Sequence, residues 1–99
     1  MNLSLDHLAD KFVFWNLNKI SYGYLELIDS KGKKHLFGDK ESSLKSNIKI
    51  NDPSFMIKLL RRGSAGLGES YINNEFETND LPSLIELSAR NINVTYKFS

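Results

Sequence analysis

Leu5, Leu8, Phe12 and Trp15 recur at spacings of three, four and three, which lines one face of a helix. Asp6, His7, Asp10 and Lys11 fit the opposite face, so the spacing predicts a helix over 3–18, capped by Ser4 or Asn2. Within it, Phe12-Val13-Phe14-Trp15 on its own is β-prone. The period then drops to two. Tyr22, Tyr24, Glu26 and Ile28 alternate with Gly23, Leu25 and Leu27, and Lys34 to Phe37 forms a matching partner. Between them, Asp29-Ser30-Lys31-Gly32-Lys33 supplies turn chemistry, with Gly32 suited to a positive φ, so a hairpin is expected over 22–38. The polar run Lys40 to Ser46 reads as a surface loop. Asn47-Ile48-Lys49-Ile50-Asn51 reads as a third strand, half buried through its isoleucines.

The second half returns to helical spacing. Asp52 can cap and Pro53 suits a first helical position. The helix that follows carries the stripe Phe55, Met56, Leu59 and Leu60, with Lys58, Arg61 and Arg62 on the other side and Gly63 as its stop. Residues 74–78 suit a short strand. Asn79 or Asp80 caps a last helix, Leu81 to Arg90, with Leu84, Ile85, Leu87 and Ser88 for packing, and an alternating tail runs from Ile92 to Phe98. This order of elements is α+β: helices packed on one face of a small, mainly antiparallel sheet.

Ninety-nine residues allow one domain with a modest core. The formal net charge of +1 gives no global attraction to nucleic acid or to an acidic membrane, so any such binding must come from a local patch. With no cysteine, disulfides, thiol nucleophiles and Cys-ligated metals are excluded. Residues 1–6 lack a basic and apolar leader, so the cytoplasm is the expected compartment, and the sequons at Asn2 and Asn93 are read as chance matches. His7 and His35 show neither triad nor metal-ligand spacing and are expected to be surface histidines. The aromatics Phe12, Phe14, Trp15, Tyr22 and Tyr24 lack a surrounding basic stripe and are expected in the core. No catalytic, cofactor-binding or metal-binding residue is assigned to this chain, and nucleic acid is not expected as a partner.

Two segments stand out. Gly63-Ser64-Ala65-Gly66-Leu67-Gly68-Glu69-Ser70 has the glycine spacing of a P-loop, but Glu69 replaces the decisive lysine with an anion. The segment also follows a helix, whereas nucleotide motifs follow a strand. It is expected to be a tight turn between two helices. Gly63 would cap the first, Leu67 and Tyr71 would point inward, and Glu69 would point outward. The second segment is the group Lys58, Arg61 and Arg62. Such a cluster suits lipid phosphates, but a solvated face whose charge complements a helix C-terminus is the commoner reading of the same pattern.

Residues 48–87 carry a longer pattern: Ile48-x-Ile50-x-Asp52-Pro53-x-Phe55, then Leu59-Leu60-x-x-Gly63-Ser64-x-Gly66-Leu67-Gly68-Glu69-Ser70-Tyr71, then Asn74-Glu75-Phe76 and Asp80-Leu81-x-x-Leu84. It resembles the N-terminal region of the cyclopropane-fatty-acyl-phospholipid synthases, and the hairpin upstream resembles it more loosely. Ala65 stands where that family usually has Leu, Asn74 where Gly is usual and Phe76 where Trp is usual, as in a divergent member. Asn74 still tolerates a left-handed turn.

The resemblance implies methylene transfer from S-adenosylmethionine to an unsaturated acyl chain of a membrane phospholipid. In that family the cofactor and bicarbonate sites belong to a C-terminal methyltransferase domain. It therefore implies that residues 1–91 form an N-terminal docking domain and that 92–99 begin a linker. Asp52, Phe55, Gly63, Ser64, Gly66, Leu67, Gly68, Glu69 and Tyr71 become motif or interdomain residues, and Lys58, Arg61 and Arg62 become headgroup candidates. The element order also resembles the sterol-carrier-protein fold. Implied partners are a phospholipid surface at the inner membrane face, the methyltransferase domain and a second copy of the chain. Two functions stay open: lipid handling, or a structural module that dimerises or braces without touching lipid.

Overall fold

The computed structural model describes residues 5–91, without the side chains of 5–7, 64 and 65. The expected caps at Asn2 and Ser4, the side chain of His7, and the tail with its linker and Asn93 lie outside the described residues.

The chain runs α1 (Leu5–Leu17), β1 (Tyr24–Ile28), β2 (Lys34–Gly38), β3 (Lys45–Ile50), α2 (Phe55–Arg62), a 3-10 turn (Gly63–Gly66), α3 (Leu67–Ile72), β4 (Phe76–Glu77) and α4 (Leu81–Arg90). It is an α+β fold. The strands order as β2-β1-β3-β4. Buried strand residues share one side of the sheet, where Leu25 lies opposite both Phe37 and Ser46, Leu27 opposite Ile48, and Ile50 opposite Phe76. Helices cover that side, with Ala9, Val13 and Leu17 from α1, Phe55 and Met56 from α2, and Leu84 and Leu87 from α4 completing one core.

The hairpin forms as the turn residues dictate. The Asp29 carboxylate accepts hydrogen bonds from the amides of Lys31 and Lys33, each at 2.9 Å, and Gly32 takes φ 88°. Two of the three strand pairings are antiparallel, as expected of a mainly antiparallel sheet, and the central one, β1 with β3, is parallel, so the sheet is mixed. The reason is chain direction. β2 returns the chain to the end where β1 began, so β3 can start there, on the far side of β1, after the short link 39–44. The antiparallel β2 replaces the long crossover that parallel neighbours normally require. That link stays tight because Gly38, at φ 90°, packs directly on the Gly23 carbonyl, where a Cβ would collide. It also extends β3 backward to Lys45 and Ser46, which sequence alone placed in a loop.

The buried face of α1 differs from expectation. Val13 is 1% exposed, whereas Leu8, Phe12 and Trp15 of the expected inward stripe are 49%, 45% and 60% exposed. The helix is apolar on both sides. The fold buries the side with Ala9, Val13 and Leu17 at spacings of four, whose small or slender side chains permit close approach. Tyr22 is exposed as well, and Phe14 and Tyr24 are half buried, so the five aromatics do not form the expected core.

Asparagines close the fold from within. Asn91, fully buried beyond α4, accepts from the amides of Ser21 and Tyr22, each at 3.1 Å, and donates to the carbonyls of Tyr22 at 2.7 Å and Leu87 at 2.8 Å. This ties the end of α4 to the link between α1 and β1.

Candidate functional site

The segment Asp52–Phe76 contains most of the residues singled out in the sequence. Asp52 does not cap α2 as expected. Its carboxylate accepts from the Ser54 amide at 2.9 Å and the Ser54 hydroxyl at 2.8 Å, closing a turn through Pro53, and the helix begins at Phe55. Those two bonds, with Lys58 nearby, hold the Asp52 carboxyl below its ordinary range. Phe55 is buried with its ring 5.0 Å from that of Phe76, and the Tyr71 ring lies 5.7 Å from Phe76, tilted by 49°. This aromatic row fastens α2 and α3 to β4. Asn74 takes φ 58°, the left-handed turn its side chain tolerates.

The glycine segment is a helix-to-helix turn. Gly63 caps α2 at φ 64°, and its amide donates to the Leu59 carbonyl. One 3-10 turn then leads into α3, and Ser64 lies in that turn, its expected motif role falling outside the described side chains. The two other glycines separate. A Cβ on Gly66 would come within 3.0 Å of the Arg62 Cβ, so the crowding there comes from the preceding helix. A Cβ on Gly68 would meet nothing within 4 Å. Leu67 is half buried. Tyr71 stays exposed at its edge despite its contact with Phe76, so only part of the expected inward pair is inward. Glu69 points outward and accepts from Arg62 at 2.8 Å.

The basic group is largely paired. Lys58 donates to the half-buried Glu75 at 2.9 Å and lies 3.8 Å from Asp52. The bond to Lys58 draws the Glu75 carboxyl down from its ordinary range and, in return, raises the Lys58 ammonium. Arg62 is engaged by Glu69. Of the three cations, Arg61 alone forms no ion pair with a described residue. Helical spacing foresaw the shared face; the partners Glu75 and Glu69 come from later turns and could not be read from it.

Beneath this segment lies an apolar cavity of about 70 Å³ that sequence reasoning missed. Phe55 and Leu59 of α2, Leu67 of α3, Leu84 and Ser88 of α4 and Val13 of α1 wall it, over a floor of β1 and β3. Motif residues thus build one side of it.

His35 is half buried rather than on the surface: its Nε2 lies 2.9 Å from the Asp29 carboxylate and its ring 4.3 Å from that of Phe14. Among the described residues no three His, Cys, Asp or Glu side chains are placed to hold a metal ion, and no helix is long and apolar enough to cross a membrane. Comparison of the chain with known protein families, characterised proteins and solved structures finds no match.

Proposed function

We propose that this chain is a noncatalytic, lipid-handling domain of a methyltransferase similar to the cyclopropane-fatty-acyl-phospholipid synthases. It engages phospholipid at the inner face of the cytoplasmic membrane, and a C-terminal domain, holding S-adenosylmethionine and bicarbonate, transfers the methylene. The observation that carries the reading is the apolar cavity under Phe55, Leu59 and Leu67. Apolar cavities stay dry and take up apolar groups, and ~70 Å³ accommodates about two water-sized groups, which suits the end of an acyl chain rather than its whole length. The matched motif of the sequence supplies its α2–α3 wall, which connects the resemblance to a physical feature.

The test is displacement of a fluorescent long-chain fatty acid, with Leu67→Trp as the cavity-filling variant. Saturable uptake by the native chain, weakened about tenfold or more in a folded Leu67→Trp variant, is expected. Absence of uptake would remove the support for lipid handling. One observation favours the bracing reading instead: Lys58 and Arg62 are engaged by Glu75 and Glu69, as in a module whose charges hold its own elements together. Under that reading the chain self-associates or binds the methyltransferase domain and ignores fatty acid.

A further inference from the structure

The stripe Leu8, Phe12 and Trp15 leaves three large apolar side chains of one helix open to water. The three side chains follow one another along α1, and each is close to half exposed or more. A helix that is apolar on both sides is normally covered on both. Here the sheet and α2 cover only the side of Ala9, Val13 and Leu17.

Charge around the stripe has one sign. Lys11, which the sequence placed on the opposite face, lies one helical turn before Trp15 and so borders its side of α1, a further correction, and Lys19 follows in the turn just past the end of the helix at Leu17. The Lys19 ammonium sits 3.6 Å above the Trp15 ring, a cation–π contact in the open. Asp10 falls three residues before Val13 and seven before Leu17, on the inward side, and is half buried. Asp10 therefore does not share the stripe's side of α1.

We propose that this stripe is the seat on which the domain rests on an anionic phospholipid bilayer. The proposal deepens the lipid-handling reading and rests on it. Leu8 and Phe12 enter the boundary between headgroups and acyl chains, where an interfacial helix buries its apolar face. Trp15 occupies the headgroup level that suits an amphipathic ring. Lys11 and Lys19 extend toward phosphates, with Lys19 exchanging the indole face for an anion. A second copy is a poorer occupant: a two-fold contact through this side of α1 would set the lysines of both copies against one another.

Trp15 is the single tryptophan of the chain beside four tyrosines, so emission excited selectively from tryptophan reports on this site alone. The native chain is titrated with vesicles of phosphatidylglycerol and, separately, of phosphatidylcholine, with acyl-brominated lipid added as a depth probe. Expected on phosphatidylglycerol are a blue shift of the emission and its quenching by bromine. Leu8→Ser with Phe12→Ser, both at exposed positions, should weaken vesicle binding at least ~10-fold while circular dichroism and melting stay native. Leu36→Ser, an exposed leucine on the open sheet face, should change neither. Vesicle binding with unmoved Trp15 emission would overturn this seat and leave the lipid-handling reading in place. A blue shift that grows with protein concentration without lipid would overturn it in favour of a second copy. No vesicle binding by the native chain would also overturn it, and fatty-acid uptake would then decide separately on the cavity.

Discussion

Asn91 shows how much one polar side chain can hold in a domain this small. Its amide group makes four hydrogen bonds at zero exposure, joining the end of α4 to residues 21 and 22. Asn91→Ala leaves amides and carbonyls without partners in the core, so a loss of about 2–4 kcal/mol is expected from urea denaturation. Titratable residues act in the same way at the surface. Burial alone would raise the Asp29 carboxyl, but bonds from the His35 ring and the Lys33 and Lys31 amides outweigh it and hold the group low. Glu75 and Asp52 are also lowered, the first by Lys58 and the second by Ser54. A carboxyl lowered in the folded state contributes stability that is complete above its unfolded value and lost as pH falls through the folded one. Melting temperature should therefore hold down to about pH 5 and decline below about pH 4. Lys58 is raised, so its contribution is complete below its ordinary value and lost as pH climbs beyond about 10. Melting curves of Asp29→Asn should show a shallower acid decline than the native chain; an unchanged slope would remove Asp29 from the account.

Among the elements, the α2–α3 turn separates packing from surface. Gly66 is crowded by Arg62, so Gly66→Leu should cost about 1–3 kcal/mol. Gly68 is open and sits inside a helix at an ordinary φ, so Gly68→Ala should stabilise the chain by about 0.5–1 kcal/mol. A measured loss at Gly68 would mean that another surface lies against it. The basic face divides likewise: Lys58→Ser should lower the melting temperature by exposing Glu75 without its partner, whereas Arg61→Ser should leave it unchanged. The sequence announced the elements whose signals are local. Asp80 caps α4 by accepting from the Ser83 amide, Gly63 ends α2, and the Asp29–Lys33 turn sets the hairpin register. Signals that depend on distant partners stayed hidden. Spacing alone could not say which apolar side of α1 meets the sheet, because Leu8-Phe12-Trp15 and Ala9-Val13-Leu17 both fit a helix face. Nor could three successive strands reveal that β1 and β3 run parallel, since that follows from the path around β1. The cavity was equally invisible, as its walls come from all four helices.

Taken as a whole molecule, the domain is covered by helices on one side of its sheet, holds a small apolar cavity between those helices and the sheet, and is apolar along the outside of α1. The lipid-handling reading joins the last two features: the stripe meets the bilayer and the cavity receives the end of a chain. The domain should contribute neither cofactor nor catalytic group, so calorimetric titration with S-adenosylmethionine should show no saturable binding to this chain. The most direct measurement is co-sedimentation of the 99-residue chain with phosphatidylglycerol vesicles, compared with phosphatidylcholine vesicles. The account predicts that the chain pellets with the anionic vesicles, pellets less with the neutral ones, and is released from the anionic ones as salt screens the lysines. A chain that stays in the supernatant with both lipids would contradict docking on the bilayer, and fatty-acid uptake would then decide between lipid handling through the cavity and the bracing role.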